Sequence, residues 1–499
     1  MFSEKSPIIV IQTVVSSFLG YVALFMINRY VGPIYWGYLS YAIAFGGLFT
    51  LITDLGFSSA NVKFITQESE RSKNLSAFLF IKIVLSILFI ILTVGALLFW
   101  VYVLHRGFEN PIEFWTILGI LPYYAVYNLI SIPNSYYQAN IDSRNIAIPR
   151  LIESIIRNGI FIMIGIVFFF NLEGNIGVGI SVILALVYGL SYSVYLAIAM
   201  YRGKPWHFQK PDFKTVRKYA IFAAPLAFSS SIATINGNID KIIIQFFYGA
   251  VATGAFYTDQ RLLIIITSLT GSVSMFILPL LSSKIKLSNL EFDANVIEYE
   301  RIVSLITLPF VLIFFWLSPY ILNIYSRAYL GYYAALSVLA IGSYVSAIQY
   351  PFLQALISKD GQGKIAKIST IGIIINIALN VIFIPPSLFG VHLFGLSDLG
   401  ASLGYTVSSL FTYLLFKHIY RMHNREWNGS VLHKHILLVL PVSFLLLLGD
   451  IYVKPYPFVL LMPIIIISLL IYIGISIIMK EISKEQIKTI IKGVLSFKN

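Results

Sequence analysis

Apolar runs of about 20 residues alternate along this chain with short polar loops, and that is the length an α-helix needs to cross a bilayer. They fall at about Ile8–Ile27, Tyr38–Gly56, Phe78–Leu104, Glu113–Tyr136, Pro149–Phe170, Ile176–Met200, Tyr219–Tyr248 and Ala252–Leu280. Six more follow at about Ile302–Tyr325, Tyr332–Ile357, Ile368–Ile384, Ala401–Phe416, Ile436–Ile451 and Phe458–Met479. The alternating pattern of a membrane β-barrel is absent. The pattern predicts an all-α polytopic membrane protein of about 14 transmembrane helices. The first two runs meet at Arg29-Tyr30-Val31-Gly32-Pro33, and the second breaks at Asp54-Leu55-Gly56. Gly admits a positive φ and Pro cannot continue a helix, so both strings read as helix ends.

The long basic loop YRGKPWHFQKPDFKTVRKY separates the first six spans from the next six. It divides the chain into a six-helix lobe at 1–215, a second at 216–435, and two additional helices with a basic tail at 436–499. A repeat supports the division. VGPIYWGYLS at Val31–Ser40 has a counterpart in YGAVATGAFY at Tyr248–Tyr257, with Gly32 and Gly249 217 residues apart, as are Gly37 and Gly254. Two lobes of like orientation place a pseudo-two-fold axis along the membrane normal. In the tail, Ile482, Ile487, Ile490, Ile491 and Val494 lie near helical spacing with Lys484, Lys488 and Lys492 between them, which predicts a surface helix.

Composition agrees with the pattern. Hydrophobic residues make up 58% of the chain and charged residues 11%, which excludes an ordinary soluble protein. The first run has no small-residue cleavage site after it and reads as a transmembrane helix. With the N-terminus cytoplasmic, 27 of the 35 Lys and Arg fall on the cytoplasmic side. Four lie outside (Arg29, Arg106, Arg327, Lys454) and four within spans (Lys82, Arg157, Lys241, Arg261). Cytoplasmic loops carry the excess of basic residues, so both termini are expected inside. The net charge of +13 then reports topology rather than nucleic-acid binding. Cysteine is absent, which excludes disulfides and thiolate metal sites.

Catalysis finds little support, since no P-loop, H-E-x-x-H or G-x-S-x-G string occurs. His105, His392, His418, His423, His433 and His435 are expected in loops, without metal-ligand spacing, as surface histidines. No enzyme, metal or cofactor is expected. Asn74-Leu75-Ser76 and Asn428-Gly429-Ser430 fall on the cytoplasmic side, where a glycosylation acceptor is unreachable. Charges within spans are more informative, because each costs at least about 2.5 to 3.5 kcal/mol at the bilayer centre and needs a partner or a wet cavity. Glu153 and Arg157 stand at i, i+4, either as a structural pair or facing a cavity. Asp240 and Lys241 are adjacent and point about 100° apart, so they are not expected to share a partner. Asp259 and Arg261 lie at comparable depth, open to pairing with Lys241 and Asp240 respectively. Lys82 sits near a span end and is expected to snorkel to water.

Two strings carry a resemblance. Arg29-x-x-Gly32-Pro33-x-x-x-Gly37-x-Leu39-Ser40-Tyr41-Ala42 followed by Asp54-Leu55-Gly56 resembles the opening signature of the Wzx-type polysaccharide flippases of the multidrug/oligosaccharidyl-lipid/polysaccharide (MOP) exporter superfamily. TINGNIDKIIIQFFYGAVATGAFYTDQRL resembles their seventh and eighth spans, matching at Asp240, Lys241, Gly254, Tyr257 and Arg261, with Asp259 in place of the usual small residue. The resemblance implies a MATE-like fold in which spans one, two, seven and eight border a central cavity. It implies a polyprenyl-(pyro)phosphate-linked oligosaccharide as substrate, moved by alternating access across the inner or plasma membrane for surface-polysaccharide assembly. Arg261 and Lys241 are then the first choices for the anionic head group and Arg157 and Arg29 weaker ones, with Asp240 and Asp259 orienting or neutralising them. Asn236, Asn238 and Gln245 are placed to bond sugar hydroxyls. Glycan-assembly enzymes as partners and H+ or Na+ as coupling ion are compatible with this scheme. One rival is a MATE-like ion-coupled exporter of organic cations, which needs an acidic site in the first lobe. Span one holds no Asp or Glu, and span two only Asp54. Another is a glycan polymerase or ligase, but the longest outer segment, PPSLFGVHLFGLSDLG, has no Arg or Lys.

Overall fold

The computed structural model describes residues 6–67, 70–103, 105, 108, 110–172, 179–203, 207–283, 289–359, 361–423, 432–452, 458–479 and 481. Among them the chain is helical almost throughout, the exception being a short antiparallel pair, β1 (Ser387–Leu388) and β2 (Val391–His392). The all-α membrane architecture expected from the apolar runs is what the structure shows. Ten described helices are long and apolar enough to cross a membrane, or eleven if Glu291–Trp316 and Ser318–Tyr325, bent by 73°, count as one span. Two shorter apolar helices, Leu438–Leu447 and Pro463–Ile478, lie where spans thirteen and fourteen were expected. A count of 14 is not reached by this measure, because several expected spans are bent or interrupted.

The chain divides into two compact units. The first holds the chain to Thr258 together with Tyr325–Tyr332 and Ile373–Ala401. Its helices are α1 (Ser6–Met26), α2 (Pro33–Phe49), α3 (Phe57–Gln67), α4 (Arg71–Leu98), α5 (Pro111–Ala139), α6 (Ser143–Phe169), α7 (Ile180–Arg202), α8 (Phe213–Asn236) and most of α9 (Ile239–Leu262). Caps legible in the sequence begin several of them. Asn110 and Glu113 form a capping box around Pro111 at the start of α5, and Asp212 accepts from Lys214 N at the start of α8. Between α5 and α7 small residues let the backbones approach, Gly119 against Ala185 and Gly189 against Pro122, and the Tyr123 ring packs on Tyr188 and Tyr192 beside them. Thr116 and Ser181 hydroxyls pair at 2.9 Å, and Tyr137 Oη donates to the Ala199 carbonyl. In lipid such close backbone approach and interhelical hydrogen bonding take the place of a hydrophobic drive. The opposite face of α7 exposes Leu186 and Leu190, as a lipid-facing stripe should.

The second unit holds Asp259–Ile324, Tyr333–Gly372 and the chain from Ser402 onward. It contains α10 (Ile264–Ser283), α11 (Asn289–Trp316), α12 (Ser318–Tyr325, whose last residue falls in the first unit), α13 (Tyr333–Ile348), α14 (Tyr350–Ser358), α17 (Leu432–Tyr452) and α18 (Phe458–Ile478). It also takes the larger part of α16 (Ser397–His423) and the start of α15 (Gln362–Phe383). Gly342 packs against Tyr405 and Thr406, and Thr406 Oγ1 donates to the Val338 carbonyl at 2.9 Å.

Several expectations need correction. The second span starts at Pro33, not Tyr38, because Pro is suited to the first helical turn. The seventh and eighth spans are each interrupted, at Gly237-Asn238 and at Leu263, with the Gly249 hairpin between them. His418 and His435 stand on α16 and α17 rather than in loops, and His435 is buried. The tail helix expected from Ile482 onward, Arg106, Lys204, Lys454 and Asn428-Gly429-Ser430 lie outside the described residues, as do the side chains of His423 and His433.

The repeated glycines meet within the first unit. Gly32 (φ 121, ψ 151) and Gly249 (φ 78, ψ −171) share a backbone region that is essentially closed to other residues. A Cβ on Gly37 would fall on the Ala250 carbonyl, and one on Gly254 would lie 3.0 Å from the Pro33 carbonyl. Ala250 follows Pro33 by the same interval that separates Gly254 from Gly37, so the contact is reciprocal. Tyr329, fully buried, closes it by donating to Asn28 Oδ1 at 2.6 Å. Gly37→Ala is expected to cost about 1–3 kcal/mol by overpacking and to lower the thermal midpoint of the purified protein. Gly20→Ala, which would meet nothing within 4 Å, should leave that midpoint unchanged; size-exclusion thermostability reads both.

Candidate functional site

The break at Gly237-Asn238 is the centre of the site. α8 ends at Asn236 and α9 begins at Ile239, so the turn between them leaves the Gly237 carbonyl outside the regular helical ladder. Lys241 Nζ donates to that carbonyl at 2.7 Å and to Asp240 Oδ1 at 3.1 Å, and Asp240 Oδ1 also accepts from Lys241 N at 2.8 Å. The adjacent residues therefore bond each other, a pairing that the expected alternatives with Asp259 and Arg261 did not include. A long Lys side chain curls back onto the interrupted turn, and the carboxylate follows it. Both groups are buried. Asn238 Nδ2 donates to Thr234 O at 2.9 Å, and Asn238 Oδ1 rests against Gly47 of α2, where no side chain obstructs it. Asn236 Oδ1 is buried with no protein partner among the described residues.

One turn further along α9, Gln245 Nε2 donates to Glu113 Oε2 at 3.3 Å. Glu113 is 2% exposed and was not singled out by the sequence. The N-x-x-E string at Asn110–Glu113 marks it as a capping residue, but nothing there reveals that its second oxygen reaches α9. The first unit thus groups Asn236, Asn238, the Asp240–Lys241 pair and Gln245 about the α8–α9 break and the first turns of α9, with Glu113 bonded to Gln245.

Glu153 and Arg157 form the expected i, i+4 pair, Nε to Oε1 2.6 Å. Arg157 Nη1 also donates to Asn158 Oδ1 at 3.2 Å, and its guanidinium carbon lies 4.9 Å over the Tyr188 ring. Arg29 stands exposed in the π-helical turn Ile27–Val31 between α1 and α2. Asp259 and Arg261 belong to the second unit, at the end of α9, Asp259 buried and Arg261 half-buried beside the Leu263 interruption. Among the described residues no three His, Asp or Glu side chains converge to hold a metal ion.

Comparison with known proteins places this arrangement. The family model for polysaccharide biosynthesis protein matches residues 4–284, more than half of the chain. The chain belongs to the polysaccharide biosynthesis protein family. Capsular polysaccharide biosynthesis protein CapF of Staphylococcus aureus is 25% identical over 238 residues, 47% of this chain and 55% of that protein. The match thus spans about half the length of that relative. Among solved structures, lipid II flippase MurJ in an inward closed conformation superposes with a TM-score of 0.72 at 20% identity, over 95% of this chain and 99% of that one. An inward-facing MATE-family multidrug resistance transporter of the MOP superfamily gives 0.63 at 13% identity, over 84% and 100%. At such identities the likeness establishes the fold, and the family model bears out the expected kinship with polysaccharide-assembly proteins.

The family's first half also contains the one buried cation that the sequence discounted. Lys82 does not snorkel: it is 1% exposed, and its ammonium donates to Asp54 Oδ1 at 2.6 Å, Asn128 Oδ1 at 3.0 Å and Thr53 O at 3.1 Å. All three of its donors are used, which removes the reason for reaching water. Asp54, in the turn between the spans Pro33–Ile52 and Arg71–Val103, also accepts from the Ser58 amide, and so pins the start of α3. Burial pushes the Asp54 carboxyl up, but the Lys82 ammonium and the Ser58 hydrogen bonds together hold it below the usual carboxylate range. The pair's contribution is complete above the ordinary carboxylate pKa and is lost as pH falls through the lowered one. Lys82→Met should cost about 1–3 kcal/mol, because Asn128 Oδ1 and a half-exposed carboxylate lose their donor. In Asp54→Asn the acid-side loss of thermal stability should disappear; thermal midpoints across the acid range check both.

Proposed function

We propose that the chain flips a polyprenyl-(pyro)phosphate-linked oligosaccharide from the cytoplasmic to the outer leaflet of the cell membrane, for the assembly of surface polysaccharide. The carrying observation is the interrupted seventh span, where a buried Lys and uncommitted amide oxygens sit together in a chain of the polysaccharide biosynthesis protein family. Non-helical backbone at membrane depth is tolerated where protein or a wet cavity surrounds it, and transporters place substrate sites at such breaks. Lys241 and Arg261 take the anionic head group, with Arg157 and Arg29 in support. Asp240 and Asp259 orient the cations, while Asn236 and Asn238 bond sugar hydroxyls. No covalent bond changes. Movement proceeds by alternating access between six-helix lobes at 1–215 and 216–435, with both termini cytoplasmic, and H+ or Na+ supplies the drive. Glycan-assembly enzymes are the natural partners of a protein with this cargo. A buried acid in the first unit, Glu113, favours the second reading, a MATE-like ion-coupled exporter of organic cations.

Reconstituted protein separates the two. A fluorescent polyprenyl-pyrophosphate trisaccharide should cross the vesicle bilayer, and Lys241→Ala and Arg261→Ala should each slow it about ten- to a hundredfold, the worth of a hydrogen bond to a charged group. Size-exclusion profiles confirm that the variants remain folded. Accumulation of a cationic dye under a proton or sodium gradient, without lipid movement, would overturn the flippase reading in favour of the exporter.

A further inference from the structure

The second unit buries a carboxylate that the proposed cargo site does not use. Glu300, within α11, is 0% exposed. Its Oε1 accepts from Tyr413 Oη at 2.8 Å and from Lys417 Nζ at 3.4 Å, both on α16, and Lys417 Nζ also donates to Tyr413 Oη at 2.7 Å. Its Oε2 is buried and has no hydrogen-bond partner among the described residues. Lys417 is 13% exposed, and His418 and Arg421 follow it toward the end of α16, so this chain of contacts leads from the carboxylate toward a basic helix end.

Other titratable groups lie around the site on most of the described elements packed against α11, among them Tyr472 of α18, whose hydroxyl donates to Leu305 O at 3.0 Å, while α10 carries none. Arg301 is the next residue on α11, and it reaches Glu481, beyond α18, at 3.4 Å. Tyr344 of α13 pairs with Ser304 Oγ at 2.6 Å, and Ser304 in turn pairs with His435 Nδ1 of α17 at 2.7 Å. His435 Nε2 lies 3.8 Å from Glu481 Oε2. Asp293, lower on α11, is held by Tyr420, and Lys359 lies 4.5 Å over the neighbouring Phe292 ring. Burying this many ionisable groups in a membrane protein is costly unless they act.

We propose that Glu300 is an exchangeable proton site, loaded and unloaded through Tyr413 and Lys417 at the basic end of α16, and that its loading is linked to the transport cycle. The linkage, though not the site, rests on the flippase reading. A proton is the only common coupling ion the donor set accepts. Sodium needs several oxygen ligands, whereas here one carboxylate oxygen, one hydroxyl and an ammonium converge, and the ammonium repels a second cation. On release the Oε2–H bond breaks, its electron pair stays on the carboxylate, and the proton passes to water at the end of α16. Unloaded, Glu300 and Lys417 form a neutral pair that ties α11 to α16. Loaded, the attraction is gone and the Lys417 ammonium is drawn to water, which loosens that tie.

Infrared difference spectroscopy of the purified protein in lipid tests the site without reference to any cargo. Wild type should show a protonated-carboxyl band that disappears as pH rises and that is missing in Glu300→Gln. Tyr413→Phe, which leaves the carboxyl in place, should keep the band and move its midpoint. A wild type without the band, or a Glu300→Gln variant that retains it, overturns the proposal whatever lipid transport shows. In proteoliposomes, a gradient of one pH unit should bias movement of the fluorescent polyprenyl-pyrophosphate trisaccharide by about tenfold in wild type and not in Glu300→Gln. Wild-type movement indifferent to the gradient overturns the linkage. If the band titrates with Glu300 but no lipid moves under any gradient, the flippase reading fails and the proton site stands.

Discussion

A polar group inside hydrocarbon has no water to turn to, and in this protein many are answered by another part of the chain. That requirement decides where helices bend and which side chains touch. Where α8 stops, the carbonyl that the break exposes is taken by Lys241. Where the second span ends, Thr53 O is taken by Lys82. Along intact helices, hydroxyls fold back on the preceding turn, as Ser40 does to Trp36 O, Thr93 to Phe89 O and Thr258 to Gly254 O. Buried lysines are thus used twice, to cap interrupted backbone and to balance a carboxylate. Lys241 is thereby held in place, its charge offset by Asp240, so that on the proposed reading an anionic head group would meet an oriented ion pair rather than a bare cation.

The same requirement explains why glycine occupies the hairpin contacts. Helices that meet through large side chains interdigitate and are hard to separate, whereas backbone laid on backbone presents a smooth surface. Gly37 against Ala250 and Gly254 against Pro33 make such a surface twice, once from each copy of the repeat. A specific restraint added to it is the Tyr329–Asn28 hydrogen bond, from a side chain 301 residues further along the chain.

Much of this was legible before any coordinates. Runs of apolar residues gave the helices, and Gly32 with Gly249 gave the hairpins, because the forbidden backbone conformation is written in the residue type. The Glu153–Arg157 pair followed from helical spacing. What the sequence hid was depth and neighbourhood. Lys82 was expected to snorkel because its place along α4 is visible, while Asn128 and Asp54, which use its donors, are 46 and 28 residues away. His435 was placed in a loop because the apolar run was read from Ile436, and its partner Ser304 lies 131 residues distant. The meeting of Asp240 with Lys241 was missed for a different reason: the 100° rule fixes where two side chains set out, and a lysine is long enough to curl back to its neighbour's carboxylate.

Two buried ion pairs, Asp54–Lys82 and Glu300–Lys417, are arranged in opposite ways, and the difference bears on what each can do. In the first, the cation is sealed and the acid is wet: Lys82 is 1% exposed and Asp54 49%. In the second, the acid is sealed and the cation lies nearer water, with Glu300 at 0% and Lys417 at 13%. A wet carboxylate exchanges its proton with solvent directly, so its titration changes stability but needs no motion of the protein. A sealed carboxylate exchanges only past the groups that cover it, here Tyr413 and Lys417, so its titration is tied to their movement. Energy from a proton gradient is captured only where exchange and movement are coupled in this sense. By that criterion the Asp54–Lys82 pair is a structural fastening, whereas the geometry of the Glu300–Lys417 pair fits the proposed coupling site.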